Sequence, residues 1–396
     1  MTTTSNGVTG LVESGFERVR DAFAANFEAG HEVGAALCVH HDGRKVVDIV
    51  GGSFDRDGTK PYGSDTLQLV FSSTKGATAV CANLLAQRGL LDLDEPVATY
   101  WPEFAQAGKG RLPVRYLLSH QAGLPAIDRT LTPEEVWAWD PVLEALAEQP
   151  PFWGPGTAHG YHALTYGYLV GEVVRRITGR SLGSFFADEV ADPLGLEFFI
   201  GLPEELEPRV SPIVAAPIVG AAQGSSGYSS TLLARALNMG GAFRDRVWMN
   251  RRAWHAAEVP GGNGITDATS LSRMYAGLIG PVEGGPSAPL LTRDQVELAR
   301  TPLTFGQDQV FASVGLPLEQ KIGLGFWRAS PAAPWGARGS FGHAGAGGSY
   351  GFADPEHGLA VGYVMNKMAE AVLIDPRSAG IITALYAAVG AEAKYI

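Results

Sequence analysis

The chain has 396 residues, of which 45% are hydrophobic and 18% charged; this predicts a folded globular protein with a large core and excludes a mainly disordered one. Its formal charge of -11, without a Lys/Arg stripe, would repel a polyanion, so we expect small or neutral substrates and no nucleic-acid partner. With no secretory signal at Met1–Gly10 and no apolar run of about 18 residues, we expect a soluble, cytoplasmic protein without a membrane partner, and the oligomeric state stays open.

The first elements are a helix, a hairpin and a second helix. Apolar residues at three- and four-residue spacings predict an amphipathic helix over 12–28. Two runs rich in β-formers, 34–40 and 44–50, flank Asp42-Gly43, a strong hairpin signal. An apolar stripe then predicts a helix over 72–88, ended by a glycine.

The middle of the chain is mainly helical, and its end returns to strands. Helices are predicted over 134–148, 163–178, 230–241, 268–280 and 293–300. Antiparallel strands are predicted over 321–327, 339–343, 349–353 and 359–365, before a final helix from Asp375-Pro376 to about residue 389. We therefore expect an α/β (α+β) fold, with one domain from 1–96 and 320–396 and a helical domain from 97–319, the active site lying between them.

Ser72 and Lys75 form a Ser-x-x-Lys motif at the start of the second predicted helix. Residues three apart share a helix face, so the amine can reach the hydroxyl and accept its proton. Burial and positive helix dipoles lower the pKa of such a lysine, and the free N–H groups of the helix start can stabilise an oxyanion. The motif alone occurs by chance about once in a chain of this length, so the prediction depends on later segments.

Two later segments supply the missing chemistry. A loop rich in glycine and proline delivers Tyr161, whose phenol, near cations, would ionise more readily than usual and relay a proton. The glycine-dense stretch 342–351 offers His343 as a polar group and the N–H of Ala346 as a second oxyanion donor. Dense glycine in a strand indicates that something approaches the backbone closely, and an acyl group is one candidate.

The sequence does not indicate a cofactor or a metal site. Cys38 and Cys81 lie outside any metal-binding spacing, and we expect both to be buried as apolar side chains. His40 and His41 are neighbours on a strand, so they point to opposite faces and cannot easily chelate one ion.

Together these motifs resemble the family VIII carboxylesterases, which share a fold with class C β-lactamases and D-Ala-D-Ala peptidases. Ser72-Ser-Thr-Lys75 matches Ser-x-x-Lys, Tyr161-His-Ala163 matches Tyr-x-Asn, and His343-Ala-Gly345 matches Lys-Thr-Gly. The resemblance spans residues 12 to 390 and implies an antiparallel sheet flanked by helices. It also implies acylation of Ser72, proton transfer by Lys75 and Tyr161, and an oxyanion hole from the N–H groups of Ser72 and Ala346.

Two departures from the lactamase pattern favour esters. Ala163 replaces the asparagine that helps hold a β-lactam side-chain amide, and His343, only partly charged at neutral pH, replaces a lysine that faces the substrate carboxylate. We therefore expect a serine esterase for short to medium acyl chains, with weak β-lactam hydrolysis as a side activity. The alternatives are acyl transfer, a β-lactamase or D-amino-acid peptidase activity, and a catalytically silent ligand-binding protein.

The remaining candidates concern substrate contacts and a competing nucleophile. Gly345 and His343 are expected beside the substrate, and four aromatic residues of loops are candidates for the pocket: Phe152, Trp153, Tyr228 and Trp335. Residues 347–351 also satisfy Gly-x-Ser-x-Gly, the nucleophile elbow of α/β-hydrolases. We reject Ser349 as nucleophile because a strand rather than a helix is predicted after it, and expect a small residue beside the site.

Overall fold

A computed structural model of the protein describes residues 2–3, 7–215, 230–243, 247–369 and 375–395. Within these residues an eight-stranded antiparallel sheet has the order β1-β2-β4-β3-β12-β11-β10-β9, and a small second sheet has the order β6-β8-β5-β7. The strands are β1 Thr2–Thr3, β2 Val8–Val12, β3 Gly34–His41, β4 Arg44–Gly52, β5 Leu67–Leu69, β6 Phe198–Phe199, β7 Val210–Ser211, β8 Ile265–Thr266, β9 Trp327–Arg328, β10 Phe341–Ala344, β11 Tyr350–Asp354 and β12 Leu359–Met365.

The α-helices flank the large sheet and fill the middle of the chain. They are α1 Glu17–Glu28, α2 Thr74–Gln87, α3 Val97–Tyr100, α4 Arg115–Leu118, α5 Pro133–Trp137, α6 Asp140–Glu148, α7 Thr165–Thr178, α8 Leu182–Phe186, α9 Asp192–Leu194, α10 Leu232–Asn238, α11 Arg252–Ala256, α12 Ala268–Ile279, α13 Arg293–Arg300, α14 Gln309–Ala312 and α15 Pro376–Ala388.

The centre of the large sheet joins the two ends of the chain. Strand β3 pairs with β12, with Cys38 opposite Gly362. The hairpin between β3 and β4 turns at Asp42 and Gly43, whose φ values of 48° and 74° are those that a tight hairpin requires. A single sheet therefore contains strands from both ends, as the sequence predicts.

Helices cover both faces of this sheet. Alternate residues of β3 point to opposite sides, so Leu37 joins a core with Phe23 of α1 and Ile381 of α15, while Cys38 joins the core of the other face. Helix α12 covers that second face and lies so close that a Cβ on Gly362 would come 2.3 Å from the Ala268 carbonyl oxygen. The central strands are therefore buried on both sides.

Most predicted elements are present, and several differ in extent from the prediction. Residues 8–12 form a strand, so the first helix begins at Glu17 rather than residue 12. The stretch 321–327 is mostly irregular: Trp327 belongs to strand β9, and Ile322 forms an isolated bridge with it. The helix over 134–148 is divided at Trp139, where φ is 69°. The α/β (α+β) fold class is confirmed, whereas the two-domain division stays a prediction.

Two negative findings concern the described part of the chain. None of its helices is both long and apolar enough to cross a membrane, and no three His, Cys, Asp or Glu side chains in it are grouped as metal ligands would be. Cys38 and Cys81 are free and buried, as expected.

Candidate active site

Ser72 is half-buried in a single 3₁₀ turn, Phe71–Ser73, between β5 and α2. Phe71 just before it has a φ of 46°, a left-handed conformation that costs a bulky residue roughly 1–3 kcal/mol. A strained backbone persists only where neighbouring groups hold it in place. The contacts that hold the Phe71 backbone therefore also fix the position of Ser72, the next residue.

Three hydroxyl groups hold the strained turn. The Thr74 hydroxyl donates to the Phe71 carbonyl at 2.5 Å and accepts from the Gly264 N–H at 2.8 Å. Ser349 donates to the Val70 carbonyl at 2.8 Å, and its Oγ lies 3.2 Å from that of Ser73. Ser349 is therefore the small residue beside the site that the sequence predicts, and it is followed by strand β11, not by a helix.

Lys75 lies one turn into the helical segment, fully buried, with Nζ 3.2 Å from the Ser72 Oγ. The same nitrogen donates to two backbone carbonyls, that of Ala163 at 2.6 Å and that of Gly261 at 2.5 Å. A neutral amine has two N–H bonds and one lone pair. With both N–H bonds directed at carbonyls, its lone pair is left for the Ser72 hydroxyl.

Burial lowers the pKa of Lys75 well below its ordinary value. Among the described residues it forms no ion pair, and its polar contacts are the two carbonyls and the Ser72 hydroxyl. This environment favours the neutral amine, which is the form that accepts a proton.

Gly261 contacts Lys75 through its carbonyl and was not predicted from the sequence. It lies in a tight loop in which the Asn263 side chain accepts from the Val259 N–H at 2.9 Å and donates to the Trp254 carbonyl at 2.7 Å. Helix α7 passes so close that a Cβ on Gly167 would come 2.1 Å from the Gly261 nitrogen. Its contribution is a backbone carbonyl, so no side-chain motif in the sequence marks it.

Tyr161 is buried directly beside Lys75, with its ring centre 4.8 Å from Nζ. Its ring stacks on Phe311 at 5.7 Å and meets Trp327 edge-on at 5.5 Å. Phe311 belongs to the short helix α14, whose first N–H groups are capped by the buried Asp308 carboxylate at 2.8 and 2.9 Å. The sequence indicated neither aromatic neighbour of Tyr161, since both come from distant segments.

The expectation that Tyr161 ionises readily is wrong. Burial raises the pKa of its phenol well above the ordinary value, although the hydrogen bond with the Ser72 side chain acts in the opposite direction. Desolvation dominates because the phenolate would be charged inside an aromatic enclosure. Tyr161 therefore remains a phenol that donates hydrogen bonds.

His343 is fully buried and uncharged rather than partly charged at neutral pH. Burial lowers the pKa of its imidazole well below the ordinary value. Its Nδ1–H donates to the Ala344 carbonyl at 2.7 Å, and its ring packs on Trp327 at 4.6 Å. The position of the lactamase lysine therefore carries no cation in this site.

The turn after His343 lies against the nucleophile segment. A Cβ on Gly345 would come 2.1 Å from the Val70 carbonyl oxygen, so glycine is required here because protein backbone, not an acyl group, lies against it. Ala346 is exposed at the tip of this turn. Within the described residues, neither its N–H nor that of Ser72 donates a hydrogen bond, so both are free for an oxyanion.

The predicted pocket aromatics have different environments. Trp153 donates to the Ala158 carbonyl at 3.0 Å and packs within its own loop, and Phe152 lies under the Arg235 guanidinium at 4.8 Å. Trp335 stacks on Trp327 and borders a cavity beside Gly345. Tyr228 lies outside the described residues. Contact of the other three with substrate stays a prediction.

Comparisons with known proteins cover most of this chain. The Beta-lactamase family model matches residues 19–382. "Esterase/beta-lactamase LipL" of Mycobacterium tuberculosis is 34% identical over 373 residues, covering 91% of this chain and 83% of LipL.

Two solved structures are also similar over 96% of this chain. A family VIII carboxylesterase is 37% identical with a TM-score of 0.86, over 99% of its own length. A penicillin-binding protein homologue from Caulobacter crescentus is 36% identical with a TM-score of 0.87, also over 99% of its length.

Proposed function

The chain belongs to the beta-lactamase family, and we propose that it is a serine carboxylesterase that forms an acyl-enzyme on Ser72. The observation that carries the proposal is the buried Lys75 amine, 3.2 Å from the Ser72 hydroxyl and held by two carbonyls. The resemblance to family VIII carboxylesterases that the sequence motifs indicate is confirmed by the similar solved structure. The roles of individual residues remain our proposal.

In acylation, neutral Lys75 accepts the Ser72 proton as Oγ attacks the ester carbonyl carbon. The carbonyl oxygen becomes an oxyanion that the N–H groups of Ser72 and Ala346 stabilise. Collapse of this intermediate breaks the bond to the alcohol oxygen, which leaves with a proton that passes from Lys75 through the Tyr161 phenol. Tyr161 acts here as a neutral donor, which agrees with the raised pKa of its phenol.

In deacylation, a water molecule attacks the acyl carbon, and the same groups transfer protons in the opposite direction. Lys75, neutral again, accepts the water proton, and the acid product leaves when Ser72 Oγ regains a proton. The protein thus returns to its starting state, with one ester and one water converted into an acid and an alcohol.

The charges of the site favour neutral esters over anionic β-lactams. Lys75 is neutral when it acts as base, and burial keeps His343 neutral. A substrate carboxylate therefore gains no ion pair from either group and would lose hydration on entry. We propose esters with short to medium acyl chains as substrates, with β-lactam hydrolysis as a weak side activity.

Three alternatives use the same architecture. The acyl-enzyme can pass its acyl group to an alcohol instead of water, and β-lactamase or D-amino-acid peptidase activity would need an amide in place of the ester. A silent ligand-binding role is suggested by the penicillin-binding homologue, but the unoccupied N–H groups and neutral base argue for catalysis.

The decisive experiment measures p-nitrophenyl ester turnover and labelling by a fluorophosphonate probe. Wild type should hydrolyse the ester and carry the probe on Ser72, and Ser72→Ala should lose both. Turnover by Ser72→Ala, or a wild type that neither turns over nor is labelled, would contradict the proposal. Adding an alcohol and analysing products separates hydrolysis from transfer, and a chromogenic cephalosporin measures the lactamase side activity.

A further inference from the structure

The turn that carries Ala346 has almost no side chains of its own. Residues 345–348 are Gly-Ala-Gly-Gly, and Gly347 and Gly348 have φ values of 85° and 121°. Within the turn, the Gly345 N–H donates to the Ser349 carbonyl at 2.7 Å and the Gly348 N–H to the Gly345 carbonyl at 3.2 Å. Glycine backbone is conformationally free, so such a turn needs an external restraint to keep one geometry.

On one side of the turn, no tightly packed side chains supply this restraint. A cavity of about 60 Å³ borders the turn there, lined by Trp335, Tyr350, Asp375 and Ile382 among others. The indole N–H of Trp335 and the hydroxyl of Tyr350 are buried and have no hydrogen-bond partner among the described residues. The Met365 and Met368 side chains lie against Gly347, but on the cavity side the turn depends on hydrogen bonds.

Arg377 of α15 provides such a bond. Its guanidinium, 2% exposed, donates from Nη2 to the Gly347 carbonyl. Gly347 follows Ala346 directly, and its carbonyl also accepts from the Ala369 N–H at 2.9 Å. Two donors on one carbonyl thus fix the chain immediately after the Ala346 N–H.

The guanidinium is itself held rigidly from three other directions. Nε donates to both Asp375 carboxylate oxygens at 2.9 Å, and Nη1 donates to Glu32 at 2.9 Å and to the Lys367 carbonyl at 2.8 Å. Its charge is therefore balanced within the protein. What Arg377 gives the turn is a fixed donor, not a free cation for substrate.

We propose that Arg377 is a positioning residue for the oxyanion hole, holding the Ala346 N–H in place through the Gly347 carbonyl. The inference rests on the proposed function, because it takes Ala346 as an oxyanion donor. A displacement of about 1 Å in a catalytic group can cost on the order of 10²-fold in rate. Since the oxyanion forms only in the transition state, loss of Arg377 should lower kcat more than it raises KM.

The test compares Arg377→Met with Arg300→Met. Arg300 is also largely buried and donates to a backbone carbonyl, that of Gly339, at 2.7 Å. Gly339 precedes strand β10, whereas the turn that carries Ala346 follows this strand. We expect kcat for a p-nitrophenyl ester to fall roughly 10- to 100-fold in Arg377→Met with KM nearly unchanged. Arg300→Met should keep kcat within about twofold per folded molecule.

Two further readouts keep the inference testable if Arg377→Met folds poorly. Arg377→Lys keeps the positive charge but has fewer N–H donors than the guanidinium. It should therefore fold and show an intermediate kcat. A boronic acid, which forms a tetrahedral adduct with serine, should lose affinity in parallel with kcat. Equal kcat and boronate affinity in wild type and folded Arg377→Lys or Arg377→Met would overturn the inference.

The two proposals fail in different ways. If Ser72→Ala still turns over the ester, the proposed function itself is wrong. If Ser72 is acylated in wild type and in the folded Arg377 variants, but those variants match Arg300→Met in kcat, only the positioning role is wrong.

Discussion

The backbone carbonyl of Ala163 lies 2.6 Å from Nζ of Lys75, so the residue that replaces a lactamase asparagine still contacts the base, through its main chain. Any residue type supplies that carbonyl. The contact with Lys75, our proposed base, is therefore independent of the side chain at position 163.

Lys75 should set the acidic limit of activity. Its amine must be neutral to accept a proton, so kcat/KM should rise with pH through the Lys75 pKa and be lost as pH falls below it. Because burial lowers that pKa well below the ordinary value, the active plateau should extend far below pH 10. Lys75→Ala should lose on the order of 10²-fold or more in kcat.

Lys109 is the matched control for this prediction. It is also fully buried and donates to two backbone carbonyls, those of Ala147 at 2.9 Å and Gln149 at 2.7 Å. Lys109→Ala should lower the free energy of unfolding but leave kcat and the pH profile of the folded enzyme unchanged. Equal losses of kcat in the two variants would contradict the assignment of Lys75 as base.

Tyr161→Phe should remove a proton donor without removing its ring. We expect kcat to fall on the order of 10²-fold, while the fluorophosphonate probe still labels Ser72. Because the pKa of the phenol is raised, wild type should show no acidic limb caused by Tyr161. Tyr166→Phe is the control, since its ring also faces Lys75, at 5.8 Å, but its hydroxyl has no partner among the described residues.

Gly345→Ala should displace the nucleophile segment. The new Cβ would come 2.1 Å from the Val70 carbonyl oxygen, a distance that forces backbone movement. We expect a loss of kcat on the order of 10²-fold, since small misplacements of reacting groups are costly. Gly280→Ala should have no such effect, because a Cβ there meets nothing within 4 Å; thermal unfolding and turnover of both variants test this.

Ser349→Ala should weaken activity only modestly. The variant loses the bond to the Val70 carbonyl, and one hydrogen bond is worth about 0.5–1.5 kcal/mol, so turnover should stay within about tenfold of wild type. Ser72 should remain the labelled residue. Loss of all turnover together with loss of labelling would instead make Ser349 a candidate nucleophile.

Local signals explain what was predictable from the sequence. Asp42-Gly43 fixes the first hairpin because its backbone must adopt positive φ, and Ser72 and Lys75 are close because they share a helix face. The β3–β12 pairing was predictable only as a sheet built from both ends. The register of this pairing depends on which face of each strand packs into the same core, and the sequence alone does not show this.

Tertiary context explains what was not predictable. The Gly261 carbonyl binds Lys75 as a backbone acceptor, which any residue type provides, so no sequence pattern marks it. The raised pKa of Tyr161 follows from its enclosure by Phe311 and Trp327, which lie far away in the chain. The left-handed Phe71 is held by Thr74 and partners that only the fold brings near.

The pairing of β3 with β12 also determines the stage of folding at which the candidate site can form. These central strands are separated by more than 300 residues, so their contact is among the most non-local in the chain. During synthesis, Ser72 and Lys75 emerge long before the strand and turn that carry His343 and Ala346. Under the proposed function, a nascent chain therefore holds its nucleophile without an oxyanion hole until β10 and the turn after it have been synthesised.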